Sequence, residues 1–193
     1  MGKIISNNSA ELLDGIIYDI QKGLQANIGW LDSIFGRAER VIRLSNDGTN
    51  RVYTPCFYAP EKAANDYTDL FPDSNNGNFC FFWMNDPQEV TWLSRITFAL
   101  KVRVSIIFWF DFRTIYNERS KRDKESIKKE ILDTINLHLN LRQGSIEIVN
   151  IYELAENIYK GFSIDEVQNQ FLTHPYGGFR LEGVISVRET CKN

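Results

Sequence analysis

The sequence is poor in the residues that most often build metal sites and disulfide frameworks. Its 193 residues include three cysteines, Cys56, Cys80 and Cys191, and only two histidines, His138 and His174. An odd number of cysteines without Cys-x-x-Cys spacing argues against both a disulfide framework and a zinc site. No pair of histidines and no Cys/His cluster has the spacing of metal ligands. We therefore expect no metal and no cofactor, and synthesis in a reducing cytoplasm.

Long apolar runs, strong net charge and nucleotide-binding loops are also missing. No stretch approaches 18 consecutive apolar residues, so we expect no membrane span. The start, MGKIISNNSAELL, lacks the apolar core and the cleavage site of a signal peptide. The formal net charge of -3 argues against a surface that binds nucleic acid by charge alone. The Gly-x-Gly-x-x-Gly, P-loop and Gly-x-Ser-x-Gly patterns are absent, which excludes the commonest enzyme signatures.

The chain contains enough apolar and aromatic residues to form one packed domain. Hydrophobic residues make up 43% of it and aromatic residues 13%, so residues 1–193 are expected to form a single domain. Periodicity and turn signals predict the elements in order. A capping box at Asn8 and Glu11 opens a helix, and a linker at 30–35 and a hairpin at 39–58 follow. The rest comprises a strand at 79–84 closed by Asn85-Asp86-Pro87, a strand at 97–114, a helix at 124–141, a strand at 145–150, helices within 151–172 and a final strand.

The order of these elements predicts the fold class. Strands and helices do not alternate as they would around a parallel sheet. We expect an α+β fold in which an antiparallel sheet is flanked by helices, with residues 151–172 forming a helical insertion before the last strand.

The long strand is apolar on both faces. In KVRVSIIFWFDFR, residues 101–113, every even position is apolar, which is typical of a strand with one buried face. The odd positions are charged at both ends, but Ile107 and Trp109 lie between them. The middle of the second face must therefore be covered, either by another layer of this chain or by another copy of it.

The length and composition of residues 59–78 predict a contact arm. This stretch of twenty residues is rich in Asn, Asp and Pro and is long for a loop without structure. It carries Tyr67, Leu70 and Phe71, and Trp83 follows at its base. Aromatic anchors in a polar loop suit a protein interface, so these residues and Trp109 are the predicted interface residues. The alternative is a loop folded onto its own domain.

A segment rich in cations precedes and opens the second long helix. Lys121, Arg122 and Lys124 belong to it, together with further cations and several acidic residues between 117 and 129. One interpretation is a solvated helix start, and the other is a rim that faces DNA or an acidic partner.

Asp111 is the residue on which an enzyme hypothesis would depend. A carboxylate at the end of a buried strand, with Lys121 and Lys124 beyond it, loosely suggests the metal site of a nuclease. No second strand carries the Glu-x-Lys pattern that such a site needs. We expect Asp111 to pair with Arg113 or with a cation on a neighbouring strand.

The order of elements resembles that of the small neck proteins of tailed phages, which include tail terminators and head–tail connector rings. The stretches IGWLDSIFGRAERVIR, LFPDSNNGNFCFFWMNDPQE and IIFWFDFRTIY are similar to proteins of phages and prophages of gut Bacteroidetes, and most similar to ring proteins in the neck of crAss-like phages. The resemblance covers roughly residues 10–190. The helical insertion at 151–172 departs from the minimal terminator pattern.

This resemblance implies a structural, non-enzymatic role in the virion. Such proteins form closed rings of six or twelve copies, stack between portal and tail, and line the DNA conduit. The expected partners are then other copies of the chain, the portal or other neck and tail proteins, and packaged DNA in passive contact. Two alternatives from other classes stay open, a metal-dependent nuclease encoded by a phage and a monomeric binding module.

Overall fold

The computed structural model describes residues 2–6, 11–45, 48–58, 67–73, 76–141, 144–164 and 167–190. Strands and helices are mixed without regular βαβ alternation, which confirms the predicted α+β class. The strands are β1 (Lys3–Ile5), β2 (Ser33–Arg37), β3 (Glu39–Leu44), β4 (Arg51–Tyr58), β5 (Tyr67–Asp69), β6 (Phe79–Trp92), β7 (Thr97–Asp111), β8 (Gly144–Tyr152) and β9 (Tyr176–Thr190). The α-helices are α1 (Leu12–Asn27), α2 (Phe112–Ile115), α3 (Lys124–Asp133) and α4 (Ala155–Ile158), and a π-helical segment, Thr134–His138, extends α3.

Two sheets organise the molecule. The larger has six strands in the order β1-β2-β6-β7-β9-β8, and the smaller has three in the order β3-β4-β5. The prediction of an all-antiparallel sheet is wrong at one edge, because β1, β2 and β6 run parallel to one another. The small antiparallel sheet lies in the connection between β2 and β6, and a crossover of that length allows two strands to run parallel. The second half of the predicted linker at 30–35 is wrong, because residues 33–35 belong to β2.

A bulge lets β6 continue through Pro87. The expected end of this strand at Asn85-Asp86-Pro87 is wrong, since pairing with β7 resumes and continues to Trp92. Asn85 pairs with Arg103 and Glu89 with Lys101, so β6 has extra residues between these two pairs. A proline at a bulge removes no ladder hydrogen bond. The strands β6 and β7 therefore form one long hairpin.

The first face of the large sheet packs against α1 and α3. The even-numbered residues of β7 from Val102 to Phe110 lie in this layer, as predicted from their alternation. Helix α1 contributes an apolar stripe that includes Ile16, Ile20 and Leu24, and α3 contributes Ile127 and Ile131. The side chain of Asp123 caps α3 by accepting hydrogen bonds from the backbone amides of two residues in its first turn.

The second face of the sheet is covered by the chain itself. Ile107 and Trp109 pack in a cluster with Phe35 and Phe57, from β2 and the small sheet, and with residues between 158 and 171. Of the two predicted covers, another layer of this chain is the correct one, because the layer over Ile107 and Trp109 is intramolecular. Helix α1 does not contribute to it, since α1 lies on the opposite face. That layer consists of a small sheet and short irregular segments, which carry no long periodic pattern.

The segment predicted as a helical insertion is largely irregular. Strand β8 runs to Tyr152, and in the described part of residues 153–175 the helical pieces are short: α4 and a 3-10 turn at Asn169–Leu172. Within the described residues, no helix has both the length and the apolar character needed to cross a membrane.

Candidate interaction surfaces

Two of the predicted interface residues lie in the core. Trp109 is 4% exposed and Leu70 is fully buried, so neither is available to a partner in the folded chain. Trp109 stacks on Tyr176 with ring centroids 5.2 Å apart, and its Nε1 donates a hydrogen bond to the carbonyl oxygen of Phe171 at 2.9 Å. Both belong to the cluster on the second sheet face, so the prediction of an intermolecular contact is corrected for these two residues.

The other three predicted interface residues are partly or largely accessible. Tyr67 is exposed and its ring contacts that of Tyr58. Phe71 and Trp83 are half-buried, and Trp83 packs edge-on against Phe162 with ring centroids 5.0 Å apart. Residues 67–69 pair with β4 as strand β5, so this part of the predicted arm folds back onto its own sheet. Residues 59–66 and 74–75 of the arm lie outside the described residues.

A cavity of about 270 Å³ lies beside Trp109 at the end of the large sheet. Its aromatic lining includes Phe112, Phe171 and Tyr176, and Ala155 and Leu172 also border it. Lys124 and Glu153 contribute the charged part of the lining, and their side chains lie 3.6 Å apart. The cavity is therefore mainly apolar with one ion pair among its lining residues.

The largest exposed apolar group on the large sheet is at the end of the β6–β7 hairpin. Four side chains form what we call the hairpin tip: Val90, Trp92, Leu93 and Ile96 are 54%, 63%, 47% and 45% exposed. The ring of Trp92 contacts that of Phe98, at 5.5 Å between centroids. Exposed apolar side chains grouped in this way mark an interaction site more often than chance.

The sequence interpretation missed the hairpin tip, although a signal was present. The stretch EVTWLSRITF alternates apolar and polar residues on both sides of Ser94-Arg95, which is typical of a hairpin. Pro87 led us to end the strand too early, and the residues after it were assigned to a connection. The tip was therefore not recognised as a continuation of two strands.

The cations predicted to face DNA are partly neutralised within the chain. Lys121 forms an ion pair with Glu118 at 2.8 Å, and Lys124 lies 3.6 Å from Glu153, which also pairs with Lys128. Arg122 is half-buried, and its charge helps lower the pKa of Asp111. A role of these three residues in DNA contact stays a prediction.

Asp111 pairs with Arg113, as the sequence predicted. Its carboxylate accepts hydrogen bonds from the Arg113 guanidinium at 2.7–3.0 Å and from the Arg113 backbone amide at 2.9 Å. Partial burial opposes ionisation of this carboxyl, but the hydrogen bonds and charge of Arg113 prevail and lower its pKa. Both oxygens are thus held by a cation of the same chain, which leaves the nuclease hypothesis without support from this residue.

The remaining candidate chemical groups are inert in the fold. Burial raises the pKa of the Cys56 thiol to about 12 and that of Cys80 above its ordinary value, so both stay protonated near neutral pH. His174 is exposed with its ring stacked on Phe112. Among the described residues, no group of three or more His, Cys, Asp or Glu side chains could hold a metal ion. Cys191 lies outside the described residues.

Comparison with known proteins adds no relative to this description. A scan against protein-family models and a search of curated proteins both find no match to the chain.

Proposed function

We propose that this protein is a structural component of a phage neck that assembles into a homo-oligomeric ring of six or twelve copies between portal and tail. The ring would surround the DNA conduit, and its partners would be the portal or other neck and tail proteins. The virion would be its location. The proposal starts from the resemblance in element order and aromatic stretches, and it requires no catalytic group.

The observation that carries the proposal is the exposed hairpin tip. Four large apolar side chains are held at the end of a regular hairpin, and β7 and β9 pair out to its base. A rigid apolar projection costs free energy in a lone soluble domain, because it leaves surface in water that a partner could bury. Its presence supports a chain that functions as one part of an assembly.

Contact with DNA is a secondary element of the proposal. The segment from Arg113 to Lys128 carries six cations and three acidic residues, although the chain as a whole is acidic. Because part of this charge is paired internally, we expect passive contact with DNA in a conduit and no binding of free DNA at physiological salt.

A monomeric binding module is the second candidate, and one observation favours it. Both faces of the large sheet are covered by the chain's own elements, so the isolated chain has a complete core. A domain with that property can fold and act alone. In this alternative the hairpin tip would bind a different protein and the chain would not associate with itself.

The oligomeric state separates the two candidates. The purified chain should be studied by sedimentation velocity over a wide concentration range, alone and with its portal protein, and by electron microscopy for rings. Rings or a mass that rises with concentration would support the neck proposal. A monomer at every concentration, with no ring on the portal, would contradict it and favour the binding module.

A further inference from the structure

The hairpin tip and the cavity beside Trp109 lie at opposite ends of the same strand. Trp92 pairs with Phe98 near the start of β7, and Trp109 is close to its end. The eleven residue steps from Phe98 to Trp109 span roughly 37 Å at about 3.3–3.4 Å per residue. An apolar projection and an apolar recess are therefore separated by most of the length of the molecule.

The two features also belong to opposite faces of the sheet. Phe98, the pairing partner of Trp92, is in register with the even-numbered residues of β7 that face α1 and α3. Trp109 belongs to the odd-numbered series and faces α4 and the segment around Phe171. Successive side chains of a strand point to opposite faces, so Trp92 projects on one side. The cavity lies at the end of the sheet and mainly on the other side, with Phe112 and Lys124 at its border.

From this arrangement we infer that the hairpin tip of one copy docks into the neighbouring copy, with Trp92 inserted in the cavity beside Trp109. The inference rests on the proposed ring and names the contact that would build it. The neighbour that receives the tip of a given copy lies on the first face of that copy. The neighbour whose tip enters the cavity of the same copy lies on its second face. One neighbour cannot satisfy both, so the contact is head-to-tail, which generates rings or filaments and not two-fold dimers.

The sizes of tip and cavity agree with this contact. The volume of about 270 Å³ is below the roughly 300–1,000 Å³ typical of small-molecule sites. It suits one large side chain with aromatic neighbours, and Trp is the residue most often found as a central anchor of interfaces. Trp92, at 63% exposure, is the most exposed large aromatic side chain among the described residues.

The area of the tip indicates a contact that needs ring closure. Its four side chains expose on the order of 400 Å² together, about half of the ~800 Å² that each partner contributes to a standard interface. A single tip in a single cavity is therefore expected to bind weakly. A closed ring gives every copy two such contacts, which strengthens assembly without any new type of contact.

The charges next to the two features largely cancel. In the cavity lining, Lys124 and Glu153 have opposite charges and lie 3.6 Å apart. In the hairpin, Glu89 pairs across from Lys101. The contact is therefore decided by Trp92 and by the apolar lining of the cavity.

A mixing experiment tests the head-to-tail contact. Trp92→Ala removes the projection and keeps the cavity, whereas Ala155→Trp fills the cavity and keeps the projection. We expect the wild-type chain to grow in mass with concentration by sedimentation velocity, and each variant alone to stay monomeric under the same conditions. An equimolar mixture should show a weak 1:1 dimer that becomes populated only at the highest concentrations and nothing larger, because each dimer has only a disabled projection and a disabled cavity left.

Controls keep the experiment interpretable. Leu137→Ala truncates an apolar side chain that is 72% exposed elsewhere and should assemble like wild type. Circular dichroism checks that Ala155→Trp is folded, and Leu172→Glu replaces it if it is not. A photoreactive benzophenone side chain at position 92 should cross-link to residues that line the cavity of a second copy, such as Leu172.

Other outcomes would overturn the inference in distinguishable ways. If rings form and both variants assemble like wild type, or the cross-link maps elsewhere, the contact is wrong while the proposed function stands. If the wild-type chain stays monomeric at its solubility limit and forms no ring on the portal, both fail. A cross-link to a different protein of the particle would replace the second copy as occupant and leave the neck role intact.

Discussion

Asn78 ties three segments of the chain together at the start of β6. Its buried side chain donates hydrogen bonds to the carbonyl oxygen of Trp30 at 2.9 Å and to the hydroxyl of Thr114 at 2.8 Å, and its Oδ1 accepts from the amide of Asp111 at 2.8 Å. Every polar function of this side chain is thus used. An amide in this position fixes the end of β7 relative to the loop before β2.

We expect Asn78→Ala to destabilise the protein by about 1–3 kcal/mol, because three partly buried hydrogen bonds are lost. Urea denaturation followed by circular dichroism measures the change. Asn27→Ala is the matched control, since Asn27 is exposed and its amide bonds only to Gly23 of the same helix. Its cost should stay below about 0.5 kcal/mol, and equal costs for the two variants would contradict the assigned role.

Asp111 makes part of the stability depend on pH. Its pKa in the folded protein lies below the ordinary value of 3.8, so its ion pair with Arg113 stabilises the fold above that pH. The contribution is lost as the pH falls below 3.8 toward the lower folded-state pKa. We expect Asp111→Asn to be less stable than wild type at pH 7, with a difference that shrinks on acidification.

Denaturation of Asp111→Asn and wild type at several pH values from neutral to acidic tests this. Asparagine keeps an oxygen that can accept the Arg113 amide, so the comparison isolates the charge. A difference in stability that grows toward low pH would show that the sign is wrong. The same variant tests the nuclease alternative, which predicts loss of a metal-dependent activity.

At the scale of elements, regular patterns were readable and irregular ones were not. The alternation in β7 and β9 and the helical stripes of α1 and α3 predicted these elements, because a long element repeats its core contacts many times. The cover over Trp109 comes from short pieces between 155 and 172 and from a small sheet, which repeat nothing. The sequence therefore showed that a second layer was needed but not that this chain supplies it.

The predictions for the β6–β7 hairpin and for the parallel edge of the large sheet were wrong for related reasons. Pro87 is a strong strand-ending signal, but a bulge removes its cost, and only the pairing with β7 shows where the bulge lies. Strand β2 has five residues, and its parallel neighbours β1 and β6 are distant in sequence. The candidate interaction surface depended on the first of these features, so ending β6 at Pro87 hid it, although the alternation in EVTWLSRITF is typical of a hairpin.

The second layer can be tested by substituting Trp109. Trp109→Phe keeps an aromatic ring and removes the hydrogen bond to Phe171, which should cost about 1–3 kcal/mol. Trp109→Ala should cost about 3–5 kcal/mol in the isolated chain, because it opens a cavity in the core. Urea denaturation of the monomer measures both.

Trp92→Ala serves as the comparison for Trp109, since its side chain is largely exposed, and it should cost less than about 1 kcal/mol. If Trp109→Ala were as mild as Trp92→Ala in the monomer, the intramolecular cover would be unimportant. A neighbouring copy, the other cover that the sequence left open, would then be needed to bury Trp109.

At the scale of the whole molecule, β6 and β7 are shared by both cores. One face of these strands packs in the cluster with α1 and α3, and the other in the cluster with the small sheet and residues 158–171. If β6 and β7 separated from one cluster, the other cluster would also lose part of its packing and become exposed to water. We therefore predict that residues 1–193 behave as one cooperative domain.

Hydrogen exchange of Ile131→Ala tests this cooperativity, because Ile131 is fully buried on the first face only. The substitution should lower the free energy of unfolding by about 2–5 kcal/mol. Strand β4 contributes Phe57 to the cluster on the other face. If the domain is cooperative, the opening free energy of β4 should fall as much as that of β7. Leu137→Ala, on the exposed side of the segment after α3, should leave both unchanged. If β4 kept its protection from hydrogen exchange while β7 lost it, the small sheet would be an independently stable unit. The hairpin tip would then belong to one of two domains.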